Sequence, residues 1–133
     1  MLAGPLGGSA LYFASHAGLL AMPRPSLAWT ALANALVLAP LLEELVFRGG
    51  IQGALDRTRF GASPVLPGVS VGNLLTSALF SAAHLIAAPA WLAAGVFLPS
   101  LVFGRLKQLY PSLVPAMLVH AWYNACYLAA TLV

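Results

Sequence analysis

Charge is what this sequence lacks. Only 7% of its 133 residues are Asp, Glu, Lys or Arg, where a soluble domain carries about 25%. Acids are scarcest, with Glu43, Glu44 and Asp56 the full set. Nothing between Gly61 and Gly104 is formally charged at pH 7. With 61% hydrophobic residues and a mean hydropathy of +0.91, such a chain cannot cover a surface that faces water. That excludes an ordinary soluble domain. One cysteine, Cys126, excludes an internal disulfide framework. The six basic residues are scattered, so the net charge of +3 is no sign of a nucleic-acid partner. Met1 to Gly8 hold no basic residue, so the first apolar stretch reads as a retained span and not as a cleaved signal peptide. Repeats and low-complexity tracts are missing too. At this length one domain, 1–133, is expected.

What is present is a series of apolar runs divided by prolines. A membrane-crossing helix needs about 20 predominantly apolar residues, and five candidates can be drawn. They run from about Leu6 to Met22, Leu27 to Leu55, Val69 to Ala87, Ala90 to Arg105 or beyond, and Pro111 to the C-terminus. Met22-Pro23-Arg24-Pro25-Ser26 breaks the first from the second, with Ser26 as a helix cap. Asp56 to Pro67 is a loop, and Pro89 divides the third span from the fourth. The expected fold is an all-α, polytopic transmembrane bundle of about five helices around a polar interior cavity. Arg57, Arg59, Arg105 and Lys107 follow the second and fourth spans, against Arg24 alone after the first. The positive-inside rule then puts the N-terminus in the cytoplasm of a multi-pass protein. The Ala-, Gly- and Pro-rich composition points to a bacterial cytoplasmic membrane.

Charges inside a span cost roughly 2.5–3.5 kcal/mol each on the insertion scale. Glu43, Glu44 and Arg48 therefore need a reason to be there. Glu44 and Arg48 are four apart and can pair on one helix face. Glu43 points about 100° away from Glu44, which leaves its carboxylate as the candidate general base. His84 is a lone polar residue in the third span, and interhelical hydrogen bonding is its other reading. In the fifth span His120 and Asn124 share a face. Two donors aimed at one point suit a developing oxyanion, although packing between helices also uses such pairs. For Glu44 and Arg48 the competing reading is a structural ion pair or a solvated helix end. His16 and Cys126 read as packing residues, Ser77 and Ser81 as small contact residues, and Trp29, Trp91 and Tyr110 as interfacial anchors.

Together these residues are more specific than any one of them. Glu43-Glu44-x-x-x-Arg48, Phe80-x-x-x-His84 and His120-x-x-x-Asn124 resemble, in order and spacing, the three motifs of the CAAX prenyl protease and bacteriocin-processing family of intramembrane glutamic endopeptidases. The resemblance covers Glu43 to Asn124. It implies a protease that cleaves a peptide bond of a membrane-associated protein or peptide. Glu43 would activate water with His84 helping to hold it, His120 and Asn124 would stabilise the oxyanion, and Glu44 and Arg48 would brace the site. It implies no cofactor. A zinc enzyme using Glu43, His84 and His120 is the alternative mechanism, since zinc takes three or four protein ligands. Outside proteolysis stand a non-catalytic binding or immunity protein on the same scaffold and a proton-relaying transporter component. The partners expected are the bilayer and a membrane-associated substrate, with the oligomeric state left open.

One expectation sits awkwardly with the rest. These boundaries put Glu43 toward the cytoplasmic end of its span and His84 toward the outer end of the next. At about 1.5 Å per residue that is too far apart for one site.

Overall fold

The computed structural model describes residues 29–132. The first expected span, with His16, lies outside them. The described chain falls into two compact units, one made of residues 29–40 with 118–132 and the other of Leu41–Met117.

Helix α1 runs from Trp29 to Asp56, 28 residues, as the second span was drawn. It is not α-helical throughout. Asn34–Leu38 and Glu44–Gln52 wind as π-helix. The sequence supplies local causes. Pro40 has no N–H to give its preceding turn, and the adjacent Gly49 and Gly50 add backbone freedom of the kind that accompanies helix distortion.

Past Asp56 the chain forms a short helix, α2 (Arg59–Ala62), capped by Thr58, whose Oγ1 accepts from Gly61 N at 2.9 Å. An antiparallel hairpin follows, β1 (Pro64–Leu66) and β2 (Val69–Ser70). Its turn carries Pro67 and then Gly68 at φ 81°, the order a type II turn favours. This hairpin replaces the end of the expected loop and the first residues of the expected third span.

Helix α3 is Val71–His84, opened by Ser70, whose Oγ accepts from Asn73 N at 3.1 Å. Its 14 residues extend only about 21 Å, short of a hydrocarbon core about 30 Å thick. The third span, drawn from Val69 to Ala87, is corrected accordingly. It starts two residues later, ends at His84 in turns over residues 85–88, and is too short to cross by itself. After Pro89 come α4 (Ala90–Gly95) and α5 (Phe97–Leu109), then α6 (Val114–Leu132). Among the described helices, Trp29–Asp56 and Ala90–Leu109 are long and apolar enough to cross a membrane. In α6, His120, Trp122, Tyr123 and Asn124 dilute an otherwise apolar run.

Within the Leu41–Met117 unit, α3 packs against both α5 and the π-helical part of α1, which also touch each other. The unit is inverted relative to a soluble fold. Glu44, Arg48, Gln52, Asn73, Thr76, Ser77 and Ser100 are fully buried, while Leu41, Leu42, Leu45, Val46, Leu79 and Leu98 are exposed. In water that distribution would be costly on both counts. In lipid the leucine face costs nothing, and polar groups belong inside.

Candidate active site

The site is organised by a count of four. Along α1, Pro40, Glu44, Arg48 and Gln52 are buried and Asp56 is half-buried. In a regular α-helix each four-residue step overshoots a full turn by about 40°, so such a row would wind around the helix. A four-residue step in the wider π turn falls short of a full turn, so the alternation of α and π segments offsets that drift and keeps the row near one face. Helical π segments often mark functional positions.

Arg48 is the hub. Its Nε donates to Glu44 Oε2 at 3.2 Å, both side chains being fully buried. Its Nη2 donates to Ser100 Oγ on α5 at 2.5 Å. Its guanidinium lies 5.4 Å from the centre of the Phe80 ring on α3, within cation–π range. One cation thus ties together α1, α3 and α5. The expected Glu44–Arg48 pair is formed, and it is buried, not solvated at a helix end.

Phe80 leads to His84. The Phe80 ring meets Phe47 edge-on at 5.1 Å and the His84 ring at 4.6 Å. His84 Nδ1 is 2.9 Å from the Phe80 carbonyl oxygen. A carbonyl can only accept, so the geometry assigns the proton to Nδ1 and leaves Nε2 as the acceptor of the ring.

The depth conflict disappears here. Helix α3 starts at the Asp56 end of α1, because Ser70 Oγ bonds Asp56 Oδ1 at 3.5 Å and Gly72 lies against the same carboxylate. The two helices then run in opposite directions, and Phe80 meets Arg48. Glu44 is twelve residues before Asp56, and His84 is twelve residues after Gly72. At about 1.5 Å per residue both lie roughly 18 Å from that shared end. The conflict arose from judging Glu43 to be near its helix end, although thirteen residues separate it from Asp56, and from drawing α3 too long.

Further polar ties secure the same unit. Gln52 Nε2 donates to the Gly104 carbonyl at 3.0 Å, and Asn73 Nδ2 to the Leu101 carbonyl at 3.0 Å. Gly104 has to be glycine, since a Cβ there would collide with Asn73 Oδ1. At the Asp56 end of α1, Lys107 Nζ pairs with Asp56 Oδ2 at 3.1 Å, and Gln108 Nε2 donates to Ser70 Oγ at 2.6 Å.

In the other unit, His120 and Asn124 lie one turn apart on α6, with His120 buried. Asn124 Nδ2 donates to the Ala35 carbonyl at 2.8 Å. That carbonyl is available for a local reason. The Ala39 N–H bonds Asn34 O, and the next residue, Pro40, has no N–H. A proline in α1 therefore frees the acceptor that holds Asn124, whose amide keeps a second N–H.

The structure thus brings Glu43, Glu44, Arg48 and His84 into one unit and His120 and Asn124 into the other. The sequence reading missed Ser100, Gln52, Asn73, Thr76 and Pro40 as parts of the arrangement. The signal for two of them was present, because Pro40, Glu44, Arg48, Gln52 and Asp56 recur every fourth residue. Among the described residues no group of three or more His, Cys, Asp or Glu is placed to hold a metal.

Residues 25–126 match the family model for type II CAAX prenyl endopeptidase, Rce1-like. The chain belongs to that family. No curated protein and no solved structure matches it. The family match spans all three motif groups, from Glu43 to Asn124. With the inverted polarity and the two long apolar helices, it makes this family member a membrane protein.

Proposed function

We propose that this Rce1-like protein is an intramembrane endopeptidase of the glutamate type. Glu43 takes a proton from water as the water oxygen attacks the scissile carbonyl carbon. His84, with Nε2 as the acceptor of the ring, holds that water. His120 and the free N–H of Asn124 receive the developing oxyanion. Collapse of the tetrahedral intermediate breaks the C–N bond, and the proton held by Glu43 passes to the leaving amine. Glu44 and Arg48 fix the backbone turn from which Glu43 projects.

The observation that carries this reading is the shared depth of the glutamates and His84 on antiparallel helices, with Arg48 and Phe80 locking the pair. Membership of the type II CAAX prenyl endopeptidases points to the substrate class, a prenylated protein ending in a CAAX segment. Its unprenylated counterpart would be a membrane-proximal tail or leader peptide. The topology follows the basic residues, with Arg57, Arg59, Arg105 and Lys107 on the cytoplasmic side and a water-accessible cavity reaching the glutamates.

The test is cleavage of a farnesylated CAAX peptide by the protein in liposomes, wild type against Glu43→Gln. A general base contributes about 10²–10⁴-fold, so the variant should lose at least about a hundredfold in kcat while keeping its helical content and unfolding midpoint. Cleavage at the wild-type rate would remove Glu43 from the base role. Failure of the wild type to cleave, with the peptide still bound, would favour a binding protein on the same scaffold.

A further inference from the structure

Three fully buried residues on the facing sides of α1 and α3 carry polar atoms without a protein hydrogen-bond partner. They are Arg48 Nη1, Gln52 Oε1 and Thr76 Oγ1. Their positions converge. Arg48 and Gln52 are successive members of the α1 row. Opposite them on α3, Phe80 lies under Arg48. Asn73 lies beside Gln52, since a Cβ added at Gly104 would press on both Asn73 Oδ1 and Gln52 Oε1. Thr76 falls between Asn73 and Phe80, three residues from one and four from the other, and so on the same face. It therefore fronts the gap between Gln52 and Arg48.

The chemistry is complementary. Arg48 Nη1 can only donate, Gln52 Oε1 can only accept, and the Thr76 hydroxyl does either. Native interiors rarely leave such atoms bare. A small polar molecule that both donates and accepts would satisfy all three, and water does this in buried polar sites, typically with about three bonds. The surrounding bonds extend the path. Arg48 bonds Glu44, Gln52 Nε2 reaches Asp56 at 3.4 Å, and Asp56 is only half-buried.

We propose that Arg48, Gln52 and Thr76 hold buried water, and that this water links the Glu44–Arg48 pair to Asp56 as the supply route to the catalytic glutamate. Its use in hydrolysis rests on the protease reading above, but its existence does not. Hydrolysis consumes one water per turnover, and the leucine face of α1 offers none.

Water-edited solid-state NMR on the labelled protein in phosphatidylcholine liposomes decides it. Polarisation from water should reach the Thr76 methyl group nearly as fast as that of exposed Thr58, and several-fold faster than the methyls of exposed Leu79 on the apolar face. Transfer at Thr76 as slow as at Leu79 overturns the proposal. In Thr76→Val, which keeps the shape and loses the hydroxyl, transfer to the residue 76 methyls should drop several-fold. Cleavage of the farnesylated peptide should slow several-fold in kcat with KM unchanged. Unchanged transfer in this variant would also overturn the site. If no form cleaves any peptide, the protease reading falls, and the wild-type transfer rates still decide whether the water is there.

Discussion

Two ion pairs draw on one helical row, and they are built differently. Glu44–Arg48 joins residues four apart within α1 at 3.2 Å, with both side chains fully buried. Asp56–Lys107 joins α1 to α5 at 3.1 Å, with its side chains about a fifth exposed. The distances are alike and the surroundings are not. Arg48 has further partners in Ser100 and Phe80, while Lys107 is part-exposed. A buried pair is held by geometry, and removing one partner strands the other charge. A pair near solvent can exchange its partner for water and loses little. The fold places its indispensable pair beside Glu43 and its dispensable one at the rim.

That contrast can be broken. Arg48→Ala should cost about 3–5 kcal/mol of unfolding free energy, measured by denaturant titration in micelles, and Glu44→Gln combined with Arg48→Met should recover much of it. Equal losses for Arg48→Ala and Lys107→Met would mean that burial does not separate the two pairs. Ser100→Ala should cost about 1–3 kcal/mol by stranding Arg48 Nη2. Pro40→Ala sharpens the comparison from the other unit. A restored N–H at position 40 would compete for the Ala35 carbonyl and loosen Asn124. We expect a fall in kcat on the order of tenfold with little change in the unfolding midpoint. An unchanged kcat would show that Asn124 needs no such anchor. Lys107→Met should cost under about 1 kcal/mol, and less still at high salt.

Much of this was legible in the sequence. The helical class, the C-terminal end of α1 to within one residue, the Glu44–Arg48 pair and the family all followed from composition, spacing and motif. The hairpin did not, because Pro64–Ser70 carries no alternation long enough to mark strands, and only Pro67-Gly68 hinted at the turn. The length of α3 was overestimated for a similar reason. Hydropathy continues unbroken through Leu85, Ile86 and Ala87, but the helix ends where turns take over at His84. Ser100 and Thr76 were invisible because a lone hydroxyl in an apolar run signals nothing until its partner on another helix is known. The shared depth of Glu43 and His84 was recoverable by counting residues from the connecting loop.

The π-helical stretch of α1 has a consequence for reading other sequences. A helical wheel drawn at about 100° per residue scatters Pro40, Glu44, Arg48, Gln52 and Asp56 through nearly half a circle, and the polar face vanishes into the average. Drawn at a quarter-turn per residue, they fall on one spoke. A periodicity scan tuned to that lower angular frequency would pick out such a helix in chains whose catalytic motifs have drifted beyond recognition.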